Sequence, residues 1–125
     1  MRYFENDIYP IGLVLSYDTE SVDKEYYNAC DGPEEHISVK PTAEATTMFL
    51  TRRTDDYYAM AVGIIFNKKE VPARLIAHEA FHATRMMAEI GCKIFLDDQS
   101  EEAWAYLIGW VAKCIDQWLK EGNGR

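Results

Sequence analysis

Two histidines and a glutamate stand at a spacing that can bind and use a metal ion. His78 and His82 are four residues apart, and Glu79 lies between them in the order His-Glu-x-x-His. On an α-helix this spacing places both imidazoles on one face, where they can bind the same ion. Zinc lowers the pKa of its bound water towards about 7, and the glutamate can take the proton. We therefore predict a Zn²⁺ site with His78 and His82 as ligands and Glu79 as general base.

A third protein ligand is needed, because catalytic zinc sites normally have three. One extended form of the motif places a glycine and a further histidine three and six residues after His82. Those positions hold Arg85 and Ala88 here. The third ligand must therefore come from outside this helix.

A carboxylate from the next helix is the natural alternative, as in sites where two histidines and one glutamate hold zinc. We predict Glu102 as this ligand, because its helix face continues through the small residues Ala105 and Gly109, which favour close approach of the two helices. Glu101 fits instead a capping box that begins at Asp98. The choice between the two glutamates stays open.

A hydrogen-bond donor to the developing oxyanion is the remaining expected part of the site. Tyr106 is the first candidate, since it lies one helical turn after Glu102. The alternative role of Tyr106 is packing. The chain contains 8 Tyr, and an aromatic residue on a packed helix more often fills space than donates a proton. The alternative donors are His36, Arg85, Tyr57 and Tyr58.

The elements that must position these residues can be predicted from periodicity and turn signals. Residues 11–17 form an apolar, branched run that predicts a strand, and residues 21–30 predict a short helix. Residues 46–53 and 57–67 predict two strands of a β-hairpin, joined at 54–56.

The second half of the chain has helical periodicity. From residue 71 apolar side chains recur at helical spacing until Gly91, which is placed to end the helix. A second apolar stripe predicts a helix over residues 100–119. Strands followed by helices predict an α+β domain, with a small, mostly antiparallel sheet packed on two long helices.

Composition limits the classes of function. With 125 residues and 48% hydrophobic content, the chain is predicted to form one domain over residues 1–125. The net charge of −8 argues against nucleic-acid binding. No apolar run is long enough to span a bilayer and the N-terminus lacks a signal-peptide pattern, so we expect a cytoplasmic protein without a membrane partner. Three cysteines without CxxC spacing predict free thiols.

Two segments together resemble a known family. The run His-Glu-Ala-Phe-His-Ala at 78–83, followed by Ser-Glu-Glu-Ala-Trp-Ala-Tyr-Leu-Ile-Gly at 100–109, is similar to the short gluzincin-type metallopeptidases encoded by phages and prophages. The resemblance covers chiefly residues 60–115. It implies a minimal zincin-like fold and leaves the identity of the substrate open. With Zn²⁺ as the cofactor, we expect a peptide or protein substrate. Larger gluzincins have an aspartate at the position of Tyr106, so this chain departs from them there.

The family also implies a strand beside the active-site helix to which an extended peptide can add, and residues 57–67 are the predicted strand. The predicted function is therefore a zinc-dependent hydrolase, a metallopeptidase. The alternative is a non-catalytic, zinc-stabilised acidic protein that binds a partner. A structural zinc site normally has four protein ligands, and Asp97 or His36 could supply the fourth.

Overall fold

The computed structural model, which describes residues 1–54 and 60–122, contains a five-stranded sheet with helices on both faces. The elements in chain order are β1 (Arg2–Phe4), β2 (Gly12–Ser16), α1 (Thr19–Glu25), β3 (Tyr26–Asn28), β4 (Ala45–Arg52), β5 (Met60–Phe66), α2 (Ala73–Arg85), a π-helical segment (Met86–Gly91) and α3 (Glu101–Glu121). The strand order is β1-β2-β5-β4-β3, and only β2 and β5 are parallel. The predicted α+β class with a mostly antiparallel sheet is confirmed.

The strands agree with the sequence pattern where that pattern is strong. The run at 11–17 contains β2, all five of whose residues are buried. The two predicted strands at 46–53 and 57–67 correspond to β4 and β5, which pair antiparallel, with Thr47 opposite Ile64. The predicted turn at Asp55 and Asp56 lies outside the described residues. Strands β1 and β3 were not predicted, because each is only three residues long.

The short helix predicted over residues 21–30 is wrong in its bounds. Helix α1 begins at Thr19, because the Asp18 carboxylate caps it by accepting the Ser21 amide at 2.8 Å. It ends at Glu25, and the next residues pair with β4, with Tyr26 opposite Arg52.

The first long helical run ends at Gly91 as predicted, but its last six residues are π-helical. A Cβ at Gly91 would clash with Cδ1 of the buried Ile11, so any other residue here would force the Ile11 side chain to move.

The capping box predicted from Asp98 is wrong. Ser100 occupies the N-cap position of α3, and its amide donates to Oδ1 of Asp97 at 2.8 Å. Glu101 is the first residue of the helix, whereas a capping box needs its glutamate at the third helical position.

The two faces of the sheet have separate apolar cores. Under one face, Phe49, Ile64 and Phe66 pack with α2, the π-helical segment and α3. On the other face, Leu50 and Ile65 pack with α1 and the 37–39 segment. Alternation along β4 therefore directs its odd-numbered residues 47 and 49 towards α2. No helix in the described part of the chain has the length and apolarity to cross a membrane.

Strand pairing decides which strand can accept a peptide. β5 is paired on both sides, with β2 and with β4, so the prediction that residues 57–67 accept an extended peptide is wrong. β4 pairs with β3 only through residues 50–52, and one further bond joins the Ala29 amide to the Phe49 carbonyl at 2.9 Å. Among the described residues, nothing pairs with Ala45–Met48 on that side.

The carboxylate of Asp23, in α1 on the face of the sheet opposite α2, holds the long β3–β4 connection in place. Oδ1 of Asp23 accepts the Ile37 amide at 2.9 Å and Nη2 of Arg53 at 3.1 Å. Oδ2 contacts Nδ1 of His36 at 2.7 Å. The Ile37 amide, followed by His36, lowers the pKa of Asp23 to about 2.

Asp23→Asn is therefore expected to lower the free energy of unfolding at neutral pH. The pKa of Asp23 is about 2 in the folded protein and about 3.9 in an unfolded chain. Its contribution is thus complete above about pH 4 and is lost as pH falls towards 2. Urea unfolding from neutral to acid pH should show the gap to wild type closing in that window. Asp7→Asn, at an exposed aspartate near the N-terminus, is the matched control. A gap that stays constant with pH contradicts the assignment.

Candidate metal centre

The two motif histidines lie on an exposed face of α2. His78 and His82 are both exposed, whereas Ala80 and Ala83 on the other side of the helix are completely buried. The two rings meet edge to face, with centroids 4.7 Å apart and an interplanar angle of 72°. Their Nε2 atoms converge to 3.1 Å. The predicted placement of both histidines on one helix face, away from the apolar core, is confirmed.

The Nε2 separation fits two ligands of one zinc ion. With zinc–nitrogen bonds of about 2.05 Å, two nitrogens 3.1 Å apart subtend about 100° at the metal, close to a tetrahedral angle. The same separation also suits one N–H···N hydrogen bond between neutral imidazoles in the metal-free protein. The separation therefore suits both a pair of zinc ligands and a hydrogen-bonded pair of imidazoles.

Glu79 differs from the histidines in being buried. Its side chain is 6% exposed and lies between α2 and β4, with Oε2 3.8 Å from Nε2 of His78. Thr47 of β4 donates its hydroxyl to Oε1 of Glu79 at 2.7 Å. This hydrogen bond leaves Oε2 directed towards the histidine, where a general base for a metal-activated water is needed.

A cleft of about 260 Å³ runs between the unpaired half of β4 and the histidine face of α2. The residues that line it are Ala45, Thr46, Thr47, His78, Glu79, His82 and Met86. A second cavity of about 380 Å³ extends from His78 and Glu79 towards Arg74 and Glu44. The predicted catalytic and ligand residues on α2 therefore face a concave surface beside an open strand edge.

An ion cluster borders this second cavity. The Glu44 carboxylate accepts hydrogen bonds from Nη1 and Nη2 of Arg74 at 3.1 and 3.0 Å, and from Nζ of Lys68 at 2.7 Å. Arg74, followed by Lys68, lowers the pKa of Glu44 to about 2. The cluster joins the start of α2 to the start of β4, and Arg74 stands one helical turn before His78.

The third ligand is not assembled in the described conformation. Within residues 1–54 and 60–122, no group of three or more His, Cys, Asp or Glu side chains is placed to hold a metal ion. Glu101 and Glu102 are both exposed in the first turn of α3. Glu102 as third ligand stays a prediction.

The reason for choosing Glu102 over Glu101 does not hold. A Cβ built on Gly109 meets nothing within 4 Å, so the close helix approach predicted through that glycine does not occur. The two helices meet instead where the rings of Phe81 and Trp104 are 6.3 Å apart. Glu101 lines a cavity together with these two side chains.

The predicted oxyanion donors are dispersed over the fold. Tyr106 is 36% exposed and its ring lies 6.1 Å from that of Tyr9, so its catalytic role stays a prediction. His36 contacts Asp23 in the layer across the sheet from α2, and Nε of Arg85 lies 3.4 Å from Glu89. The remaining two candidates, Tyr57 and Tyr58, lie outside the described residues.

Thr47 is the residue of the site that sequence reasoning missed. It is 32 positions from Glu79 in the chain, and no local pattern marks it. The only available signal was the alternation of the 46–53 strand, which places Thr47 on the same face as Phe49.

Thr47→Val is expected to lower the free energy of unfolding of the metal-free protein by about 1–3 kcal/mol. The change leaves the buried Glu79 carboxylate without this donor, and a buried group that loses its partner costs about that much. Denaturant unfolding of the metal-free protein measures the change. Thr47→Ser keeps the hydroxyl and should retain most of the stability. Equal losses in both variants would indicate packing, not the hydrogen bond.

Comparison with protein-family models, with curated proteins and with solved structures finds no match for this chain.

Proposed function

We propose that this protein is a zinc-dependent hydrolase that cleaves peptide bonds. The observation that carries the proposal is the convergence of His78 and His82, with Nε2 atoms 3.1 Å apart, beside the buried carboxylate of Glu79. In HExxH hydrolases two such nitrogens bind the zinc ion and the neighbouring glutamate acts as general base. A purely structural site would need four protein ligands, and His36 is engaged by Asp23 in the layer across the sheet.

In the proposed reaction each side chain has a separate task. His78, His82 and a carboxylate from the first turn of α3 would hold the ion. Glu102 is the ligand predicted from the sequence, and Glu101, which lines a cavity with Phe81, is the alternative. Zinc, when bound, lowers the pKa of water and polarises a carbonyl. Glu79 accepts the proton of the attacking water and can pass it to the leaving amine. Thr47 keeps the Glu79 carboxylate oriented through the 2.7 Å hydrogen bond.

The unpaired half of β4 supports an extended peptide as substrate. The Glu44 carbonyl accepts the Asn67 amide at 2.8 Å, so even-numbered residues of β4 direct their backbone groups to β5. The N–H and C=O groups of Ala45 and Thr47 consequently point away from β5, along the cleft. A peptide that pairs with them would run past the histidines by main-chain hydrogen bonds.

The direct test is a cleavage assay of zinc-loaded protein on a degenerate peptide library, read by mass spectrometry. Cleavage that a zinc chelator stops and added zinc restores is the expected result. Zinc bound at one per chain without cleavage of any peptide would favour a non-catalytic, zinc-stabilised partner-binding protein instead.

Glu102→Gln is expected to weaken zinc affinity by on the order of 100-fold, because the variant replaces an anionic ligand by a neutral one. Glu101→Gln is the matched control, since it makes the same change one residue earlier and should bind zinc like wild type. Competition titration with a chromogenic chelator measures both affinities. The reverse pattern assigns the ligand to Glu101.

A further inference from the structure

A further cavity, separate from the two beside β4, lies between α2, the 95–98 segment and the start of α3. Its volume is about 400 Å³, and its residues are Phe81, Leu96, Asp97, Asp98, Glu101, Trp104, Ala105 and Ile108. The walls are apolar, although Phe81 is 47% and Leu96 is 55% exposed. Large apolar side chains so exposed around one cavity are typical of binding surfaces.

The rim of this cavity is acidic. The Asp97 carboxylate accepts hydrogen bonds from the amides of Ser100 and Gln99 at 2.8 and 2.9 Å. The amide and side chain of Ser100, followed by the Gln99 amide, lower the pKa of this carboxyl. Asp98 and Glu101 are both exposed, and neither has a side-chain hydrogen bond or ion pair with another described residue. Three carboxylates therefore lie at an apolar cavity, and none of them forms an ion pair with a described residue.

The cavity begins next to the candidate metal centre. Phe81 precedes His82 in the chain, and their ring centroids are 6.3 Å apart. The ring of Phe81 also lies 6.3 Å from that of Trp104, which lines the cavity. The open edge of β4 borders the histidines on one side, and Phe81 leads from His82 to this cavity on the other.

We propose that this cavity binds the side chain of a lysine or arginine in the peptide that occupies the metal centre. The identity of the peptide as substrate rests on the proposed function. The long aliphatic stem of such a side chain can pack on Phe81, Trp104 and Ile108 while its cationic end reaches the carboxylates. A neutral aliphatic side chain would leave those carboxylates without a partner, and an acidic one would be repelled.

Binding in the absence of turnover tests this proposal directly. The probes are acetyl-Ala-Lys-Ala-amide and its norleucine analogue, titrated into zinc-loaded Glu79→Gln protein. The reporter is the NMR signal of the Trp104 indole N–H, which donates to the Ile94 carbonyl at 3.2 Å. We expect the lysine peptide to bind about fivefold more tightly at low salt, as partly exposed ion pairs allow.

Two variants examine the two parts of the cavity. Asp98→Asn should reduce the preference for lysine, and Ala105→Phe should weaken both peptides by filling the space. Asp31→Asn makes the same charge change at an exposed residue outside the cavity and should leave the preference intact. Equal affinities for the two peptides, or no response at Trp104, overturn the proposal.

The outcome is separable from that of the proposed function. If the lysine preference is present but wild-type protein cleaves no peptide, the cavity stands and the peptidase proposal fails. If wild-type protein cleaves peptides with no preference for a basic residue near the cut, the peptidase proposal stands and the cavity assignment fails.

Discussion

Glu79→Gln is expected to lower the rate of peptide cleavage by about 10²–10⁴-fold while the protein keeps its zinc. A glutamine amide cannot accept a proton from the attacking water. Its carbonyl oxygen can still accept the Thr47 hydroxyl, which donates to Oε1 of Glu79 at 2.7 Å in the wild-type protein. The variant should therefore fold normally and bind the same metal. The lower cleavage rate would then result from the missing proton transfer.

Two measurements are needed for this prediction: initial cleavage rates on the best library peptide, and zinc content by elemental analysis. Glu89→Gln is the matched control, because it makes the same change in the π-helical segment after α2, where Glu89 contacts Arg85. That variant should cleave like wild type. A Glu79→Gln protein with unchanged turnover would remove the general base from the proposed mechanism.

His78→Ala is the second change with a large expected effect, a loss of zinc affinity of more than about 100-fold. The change removes a direct metal ligand. Mutation of residues that only hydrogen-bond to a ligand already lowers metal affinity by about 10–100-fold. Wild-type protein should bind one zinc per chain and gain thermal stability from it, because a metal that binds only the folded state stabilises it. The variant should show neither effect.

His36→Ala is the control for that experiment. It removes the remaining histidine of the chain, which contacts Asp23 in the layer across the sheet from α2. Zinc content and the shift in melting temperature on adding zinc should match wild type. One zinc per chain retained in His78→Ala, and lost in His36→Ala, would place the metal away from the motif.

The prediction that His78 and His82 share one face was correct because it depended on one helix. Residues four apart on a helix share a face whatever the rest of the chain does, so the motif alone placed His78 beside His82. The same local reasoning found β2, β4 and β5, whose apolar runs are long. It missed β1 and β3, because three-residue strands carry little pattern and form through pairing with distant partners.

The sequence by itself thus determined the helix, through its apolar periodicity, and the common face of His78 and His82, through their spacing. Only the tertiary structure decided the partner of the Glu79 carboxylate, Thr47, and the strand that stays open beside it, because hydrogen bonds between elements depend on strand order. Packing also decided which side of α3 meets α2, through Phe81 and Trp104. Helix periodicity defines the faces of a helix, but the neighbouring elements determine which face is covered.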